Sequence, residues 1–297
     1  MYAAVVAIAT TLYNDPACPW GYSANPWLNV LQWRYRGQLD WRIVVIVLRE
    51  EPIGELTGHT PTRSAQGARV FGDRFGMPVA PQARPRLMPT GRVCRALVAT
   101  RLAHPGREFA AMRALQFAWF NTTELLDEDD AIERTLAGVR GIDAHAVLAT
   151  LDSPQVSAAY EADKAQARTA AGGATHSQGK AAMDGPLVRY TAPSIVFERD
   201  GQRLEGGGFQ PIEAYDVLIA NLDPELERTP PPPGPLPLLE YFSDGLSTQE
   251  VAVLLTAGLD AVDRPSAESE LIALAAQGAI TREALGDDAL WRVAGQA

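Results

Sequence analysis

The chain is almost without lysine: Lys164 and Lys180 are the only two, so arginine supplies 24 of the 26 basic residues. This is the bias of GC-rich coding and points to a bacterial source. Basic residues of either kind are outnumbered, giving a formal net charge of −10 over 297 residues. A phosphate backbone needs clustered Lys and Arg, so no nucleic-acid partner is expected. Cysteine is scarce too. Cys18 and Cys94 are the only two, which excludes a disulfide framework and fits a reducing compartment. Long apolar runs are missing: "WRIVVIVL" at 41–48 falls far short of the roughly 20 residues needed to span a bilayer. The first residues lack a basic stretch and read as a strand, so a cytoplasmic protein with no membrane partner is expected. His59, His104, His145 and His176 show no ligand spacing, and no metal site is expected. "EGGGFQ" (205–210) lacks the G-x-G-x-x-G context of a nucleotide loop.

Against these absences stands a clear alternation of strand and helix signals. Residues 3–12 are small, β-branched and apolar, a buried strand. A short helical turn at 19–24 follows, then a restart with Asn25 as cap and Pro26 at the first helical position, running through "WLNVLQWRYRG". "DWRIVVIVLRE" (40–50) is a second strand, which completes a βαβ unit with a parallel pair. From about 60 to 170 the spacing predicts four or five helices, with Asp127, Asp143 and Ser153 as caps. "AGGATHSQGKAAMDGP" (171–186) reads as a flexible loop. "PSIVFER" (193–199), the turn Asp200-Gly201 and "QRLEGGG" (202–208) predict a hairpin, and 211–222 a helix. "RTPPPPGPLP" (228–237) marks a boundary.

The residues with most chemical content are Asp15, then Cys18-Pro19-Trp20 at the start of the first helix, then "TAPSIVF" opening the third strand. With "CRALVATRL" and "MRALQFAWF" in the helical block, this order resembles the DsbA-like thioredoxin-fold family over residues 1–225. The likeness extends more distantly to 2-hydroxychromene-2-carboxylate isomerases and kappa-class glutathione transferases. The resemblance implies an α/β, thioredoxin-like β-α-β…β-β-α fold with a large all-α insertion. The thioredoxin-like part is then 1–58 with 186–226 and the insertion 59–185; by composition 227–237 is a Pro-rich linker, and 238–297, with "LSTQEVAVLL", "RPSAESELIALAAQGAI" and "DDALWRVA", separately resembles a small winged-helix module. The DsbA-like resemblance also implies a cis peptide at Ala192-Pro193 beside the cysteine, with Pro19, Trp20, Ala192 and Pro193 shaping a substrate site. A trans proline opening an edge strand is the alternative at Pro193. Trp20 serves either the site or the core.

The sequence departs from the redox members at Gly21, where CPWC would carry its second thiol. Cys18 is placed where free backbone N–H groups and the positive end of a helix converge, which lowers a thiol pKa. The expectation is therefore a monothiol thiol-disulfide oxidoreductase, with Cys18 as nucleophile. No cofactor is tightly held. A small thiol, glutathione or mycothiol, serves as co-substrate and a protein disulfide as partner. Cys94 is either the resolving thiol or a small apolar residue on a helix face. A thiol-dependent isomerase or transferase with a pocket between Trp20, the cis-proline loop and the insertion stands as an alternative. A non-catalytic interaction protein with an inert Cys18 is a second.

Residues 236–297 hold three arginines against ten acidic residues, so a homodimer or protein partner is expected of this module rather than DNA. Ser247 or Thr248 is read as a helix cap there, and Trp291 as part of a terminal strand.

Overall fold

The computed structural model describes residues 7–51, 58–80 and 82–295. The first apolar run forms β1 (Ile8–Asn14); residues 3–6 of the expected strand lie outside the described residues. Two short helices follow, α1 (Pro19–Ser23) and α2 (Asn25–Tyr35). The restart between them occurs, but its cap is Ala24 rather than Asn25. Ala24 stays in the right-handed helical region, and the Leu28 N–H bonds its carbonyl at 3.0 Å. The chain therefore never takes the extended geometry that a side-chain cap requires, and the Asn25 amide instead donates to Gln116 at 2.9 Å. A 3-10 turn at Arg36–Gln38 leads into β2 (Leu39–Val45), parallel to β1 with Tyr13 opposite Val44. The strand stops at Val45, short of the expected 50. Val47 adopts φ 52°, and the Leu48 N–H turns to the Asp15 carboxylate at 2.8 Å.

The helical block comprises α3 (Pro61–Phe75), α4 (Gly91–Ala103), α5 (Glu108–Asn121), α6 (Asp129–Ala137), α7 (Ala144–Thr150) and α8 (Pro154–Ala167). Six helices replace the four or five expected among the described residues; α3 is the one without a sequence signal. Asp143 and Ser153 cap their helices as expected. Asp127 does not: Glu128 holds the cap position, and Asp127 is drawn into an ion pair with Arg86.

The stretch read as a flexible loop is ordered into α9 (Ala174–Ser177) and β3 (Ala181–Asp184), which pairs with β4 (Leu187–Tyr190). Glu205 fixes it, accepting from the Thr175 N–H and the Tyr190 hydroxyl at 2.8 Å each. The hairpin β5 (Ser194–Arg199) and β6 (Gln202–Gly206) forms as expected. Asp200 and Gly201 both have positive φ, 51° and 79°, as a two-residue hairpin turn requires. β5 lies antiparallel to β1, giving a four-stranded sheet in the order β2-β1-β5-β6, and α10 (Ile212–Leu222) follows.

The proline run is not a free spacer. Trp33 donates to the Pro230 carbonyl at 2.8 Å, and the Thr229 N–H to Arg34 at 2.8 Å, which lays the run along α2. Beyond it come α11 (Pro235–Tyr241), β7 (Leu246–Ser247), α12 (Thr248–Leu255), α13 (Arg264–Ala276), β8 (Ile280–Leu285) and β9 (Asp288–Val293). Its sheet has the order β7-β9-β8. Ser247 and Glu250 close a reciprocal capping box, and Trp291 is fully buried in β9. This region shares a core with Val30 and Trp33 of α2. The larger core lies between the four-stranded sheet and the helical block. No helix among the described residues is long and apolar enough to cross a membrane.

Candidate functional site

Cys18 occupies the N-cap of α1 with Pro19 at the first helical position. Its backbone is extended (φ −78°, ψ 116°), and its carbonyl accepts from the Tyr22 N–H at 2.8 Å. The Ala192–Pro193 peptide bond is cis. The Cys18 Sγ donates to the Ala192 carbonyl at 3.4 Å, so the thiol and the proline loop meet. Trp20 and Gly21 direct backbone N–H groups at the sulfur, and Arg189 adds a nearby positive charge. These are the stabilisers a thiolate needs.

They do not win in this state. Cys18 is only 6% exposed, and burial pushes its thiol up to about 12. The N–H of Gly21 opposes this, the Asp15 carboxyl reinforces it, and Trp20 and Arg189 oppose it in turn. The expected lowering of the thiol pKa is thereby corrected: the loss of hydration outweighs the helix end. A thiol donating to a carbonyl is the protonated form.

Asp15 is fully buried and ties the turn in place. Its Oδ1 accepts from the Ala17 N–H at 2.8 Å; its Oδ2 accepts from the Leu48 N–H at 2.8 Å and the Thr90 hydroxyl at 3.1 Å. Burial raises its pKa against these donors. The Cys94 thiol donates to the same Oδ2 at 3.5 Å. Cys94 is sealed in the main core with its pKa raised by burial, and both cysteines are free. The two sulfurs thus face different partners, one at Ala192 and one at Asp15.

At Gly21 the space for a second thiol is already filled. A Cβ built there would stand 2.0 Å from Asn14 Oδ1 and 3.2 Å from Nδ2. Asn14 is fully buried; its Oδ1 accepts from the Asp15 N–H at 2.9 Å, while its Nδ2 has no partner. In the sequence, only its position four residues before Cys18 ties Asn14 to the site.

Trp20 is exposed, at 38%, and so is not a core residue. Its ring meets Phe71 at 4.9 Å and Phe75 at 5.6 Å, both on α3, and Phe209 at 6.0 Å. The Arg74 guanidinium lies 5.5 Å from its ring centre. These contacts bring α3 of the insertion and Phe209 onto Trp20, on the side where a pocket between Trp20, the proline loop and the insertion is expected. The Phe71–Phe75 spacing of four residues is the one signal that could have revealed them. Arg189 left no signal. Among the described residues no group of three or more His, Cys, Asp or Glu is placed to hold a metal.

No family model matches the chain. No curated protein sequence matches it either. Solved structures do. A provisionally named protein disulfide isomerase from Nitrosomonas europaea aligns at 17% identity and TM-score 0.58, covering 72% of this chain and 97% of its own. The cytosolic disulfide reductase DsbM from Pseudomonas aeruginosa, in a structure with GSH, aligns at 19% identity and TM-score 0.52, over 72% and 98%. A provisionally named DsbA oxidoreductase from Streptomyces coelicolor aligns at 19% identity and TM-score 0.53, over 75% and 92%. At these identities the likeness is one of architecture: the chain has the DsbA-like thioredoxin fold.

Proposed function

We propose that this chain is a cytoplasmic thiol-disulfide oxidoreductase working through Cys18 alone. The observation that carries the reading is the Cys18 sulfur at the start of α1, in contact with the carbonyl of the residue before a cis proline. The fold it shares with oxidoreductases, among them a disulfide reductase solved with GSH, supports it.

The buried, protonated thiol is the resting form. A substrate disulfide entering beside Pro193 displaces the thiol from the Ala192 carbonyl, and the proton leaves to solvent. The thiolate is then held by the Trp20 and Gly21 N–H groups. It attacks one substrate sulfur, a bond forms between Cys18 and that sulfur, and the other sulfur departs as a thiolate. With Asn14 in the volume of a second cysteine, no neighbouring thiol resolves the adduct. A soluble thiol such as glutathione or mycothiol attacks it, leaves joined to the substrate sulfur and frees Cys18. A thiol-dependent isomerase or transferase is the second reading, favoured by the same filled position, since such chemistry needs no disulfide cycle.

Native protein exposed to oxidised glutathione is expected to gain one glutathionyl group, read by intact mass. The adduct is expected to vanish in Cys18→Ser and persist in Cys94→Ser. Absence of the adduct on the native chain, with ready formation on the unfolded chain, overturns the reading and leaves the isomerase or transferase and the non-catalytic ones.

A further inference from the structure

Ala17 and Pro19, the two neighbours of Cys18, form part of the wall of a cavity of about 520 Å³. The rest comes from Arg49, Gly58 and His59, from α3, from Ala80 and residues between 82 and 88, and from the C-terminal end of α5 with Thr122. Among the described residues, Cys18, Trp20 and Pro193 do not line it. Its size lies within the range of small-molecule sites, roughly 300–1,000 Å³.

The wall is unusual for an acidic chain. Many arginines of the chain pair with carboxylates, among them Arg69 with Asp73 and Asp287, Arg92 with Asp129 and Asp152, Arg113 with Glu250, and Arg86 of this same wall with Asp127 and Glu128. Here three do not. Arg49 donates to the Met88 carbonyl at 3.1 Å and Arg63 to the Gly58 carbonyl at 2.9 Å. Arg84 donates to the carbonyls of Glu124 at 3.1 Å, Ala118 at 3.4 Å and Trp119. None of the three reaches a carboxylate among the described residues. The acidic group that acts on Arg49 is Asp15, whose oxygens are already committed to Ala17, Leu48, Thr90 and Cys94. Burial lowers Arg49, and lowers Arg84 to about 10, so both guanidinium groups are drawn partly out of water with carbonyl oxygens as their hydrogen-bond partners. Each guanidinium has five N–H donors, and carbonyl contacts leave several unused. Phe71, Trp119 and Phe120 supply an apolar floor to the same cavity.

We infer that this cavity binds a small organic anion, with an anionic oxygen head held by Arg49, Arg63 and Arg84 and an apolar body against Phe71, Trp119 and Phe120. A carboxylate or a phosphate head satisfies the same unspent donors, because both accept paired guanidinium bonds. The site places its ligand against the turn that carries Cys18, and binding there does not depend on the thiol chemistry proposed above.

Titration calorimetry on the full chain tests this with naphthalene-2-carboxylate, 2-naphthyl phosphate and the neutral naphthalene-2-carboxamide. At least one anion is expected to bind saturably, and the carboxamide to bind about tenfold or more weaker. Whichever head binds better identifies the ligand class. Arg63→Gln, at an exposed position, and Arg49→Gln are each expected to weaken the anion by about fivefold or more. Cys18→Ser is expected to bind as the unaltered chain does, which separates this site from the thiol reading. Failure of both anions to bind overturns the inference. So does a carboxamide within about threefold of them, or an unchanged affinity when Arg49→Gln and Arg63→Gln are combined.

Discussion

Gly21 and Asn14 form a matched pair: the buried Asn14 amide occupies the volume that a side chain at position 21 would need. Restoring the familiar motif with Gly21→Cys forces a Cβ to 2.0 Å from Asn14 Oδ1, so a fully buried amide must move. The single variant is expected to lose roughly 1–3 kcal/mol by overpacking, read from the denaturant midpoint. Asn14→Ala with Gly21→Cys is expected to recover that loss and, on oxidation, to join Cys18 to the introduced thiol in a disulfide, read by thiol counting. Disulfide formation as ready in the single variant as in the double would show that Asn14 does not hold the place. Cys18 was legible from its motif at a helix start, and Ala192 and Pro193 through the family resemblance that this motif and the following strand signal carry. Asn14 was not: nothing in an asparagine before "DPAC" states which volume its amide fills. The direction of the thiol pKa was misread for a related reason. Helix position is written in the sequence, but the depth of burial is set by β4 and the proline loop, far along the chain.

The raised thiol has a consequence for stability. The folded Cys18 ionises at about 12 and the unfolded one near its ordinary value of 9.0. The folded chain thus retains a proton the unfolded chain gives up, so this contribution is whole below pH 9 and is lost as pH rises from there toward 12. The loss is expected to run at about 1.4 kcal/mol per pH unit in that window. Tyrosines raised by burial, such as Tyr22 and Tyr35, titrate in the same direction, so the measurement is the difference between the unaltered chain and Cys18→Ala. Urea midpoints from about pH 7 to about pH 10.5 are expected to converge as pH rises; parallel curves would place the native thiol at an ordinary pKa.

Elements were legible in proportion to how much apolar surface they bury. The strands β1 and β2 and the helices α4 and α5 carry the main core and announce themselves by pattern. The hairpin β5–β6 was legible for a different reason: its turn demands two residues of positive φ, and Asp-Gly supplies them. By contrast α3, "PTRSAQGARVFGDRF", has no buried residue, so a reading based on the core passes over it. Its start is nonetheless well made, since Thr60 accepts from the Arg63 N–H at 3.2 Å and Pro61 takes the first position. The ordering of α9 and β3 escaped because it rests on side-chain bonds to Glu205 from residues 15 and 30 positions away, not on composition. The same α3 carries Phe71 and Phe75 onto Trp20, so the least legible helix is the one that closes the site.

At the scale of the whole molecule, the C-terminal region is bound into the thioredoxin-like part through charges as well as apolar surface. The Glu250 carboxylate is wholly buried and accepts from Asn29 at 2.9 Å on α2, from Arg113 on α5 at 3.1 and 2.8 Å, and from the Ser247 N–H at 2.8 Å. One side chain of the terminal region therefore joins two helices of the rest. At the other end of that region, Asp287 accepts from the Val79 N–H at 2.9 Å and pairs with Arg69 of α3. The region thus steadies the helix that caps Trp20, and its acidic surface has a use inside the chain before any partner is invoked. Removing one member of a buried pair leaves the other charged and unmatched, at about 3–5 kcal/mol. Glu250→Met and Arg113→Met are each expected to lower stability by that order, in a single unfolding transition followed by both far-ultraviolet dichroism and tryptophan fluorescence. The double variant, with no orphaned charge, is expected to lose clearly less than the sum, giving a coupling of about 2 kcal/mol or more. Strict additivity would deny the pair its place. Two separated transitions in the unaltered chain would show instead that the terminal region folds on its own account, and that the aromatic contacts on Trp20 are held without it.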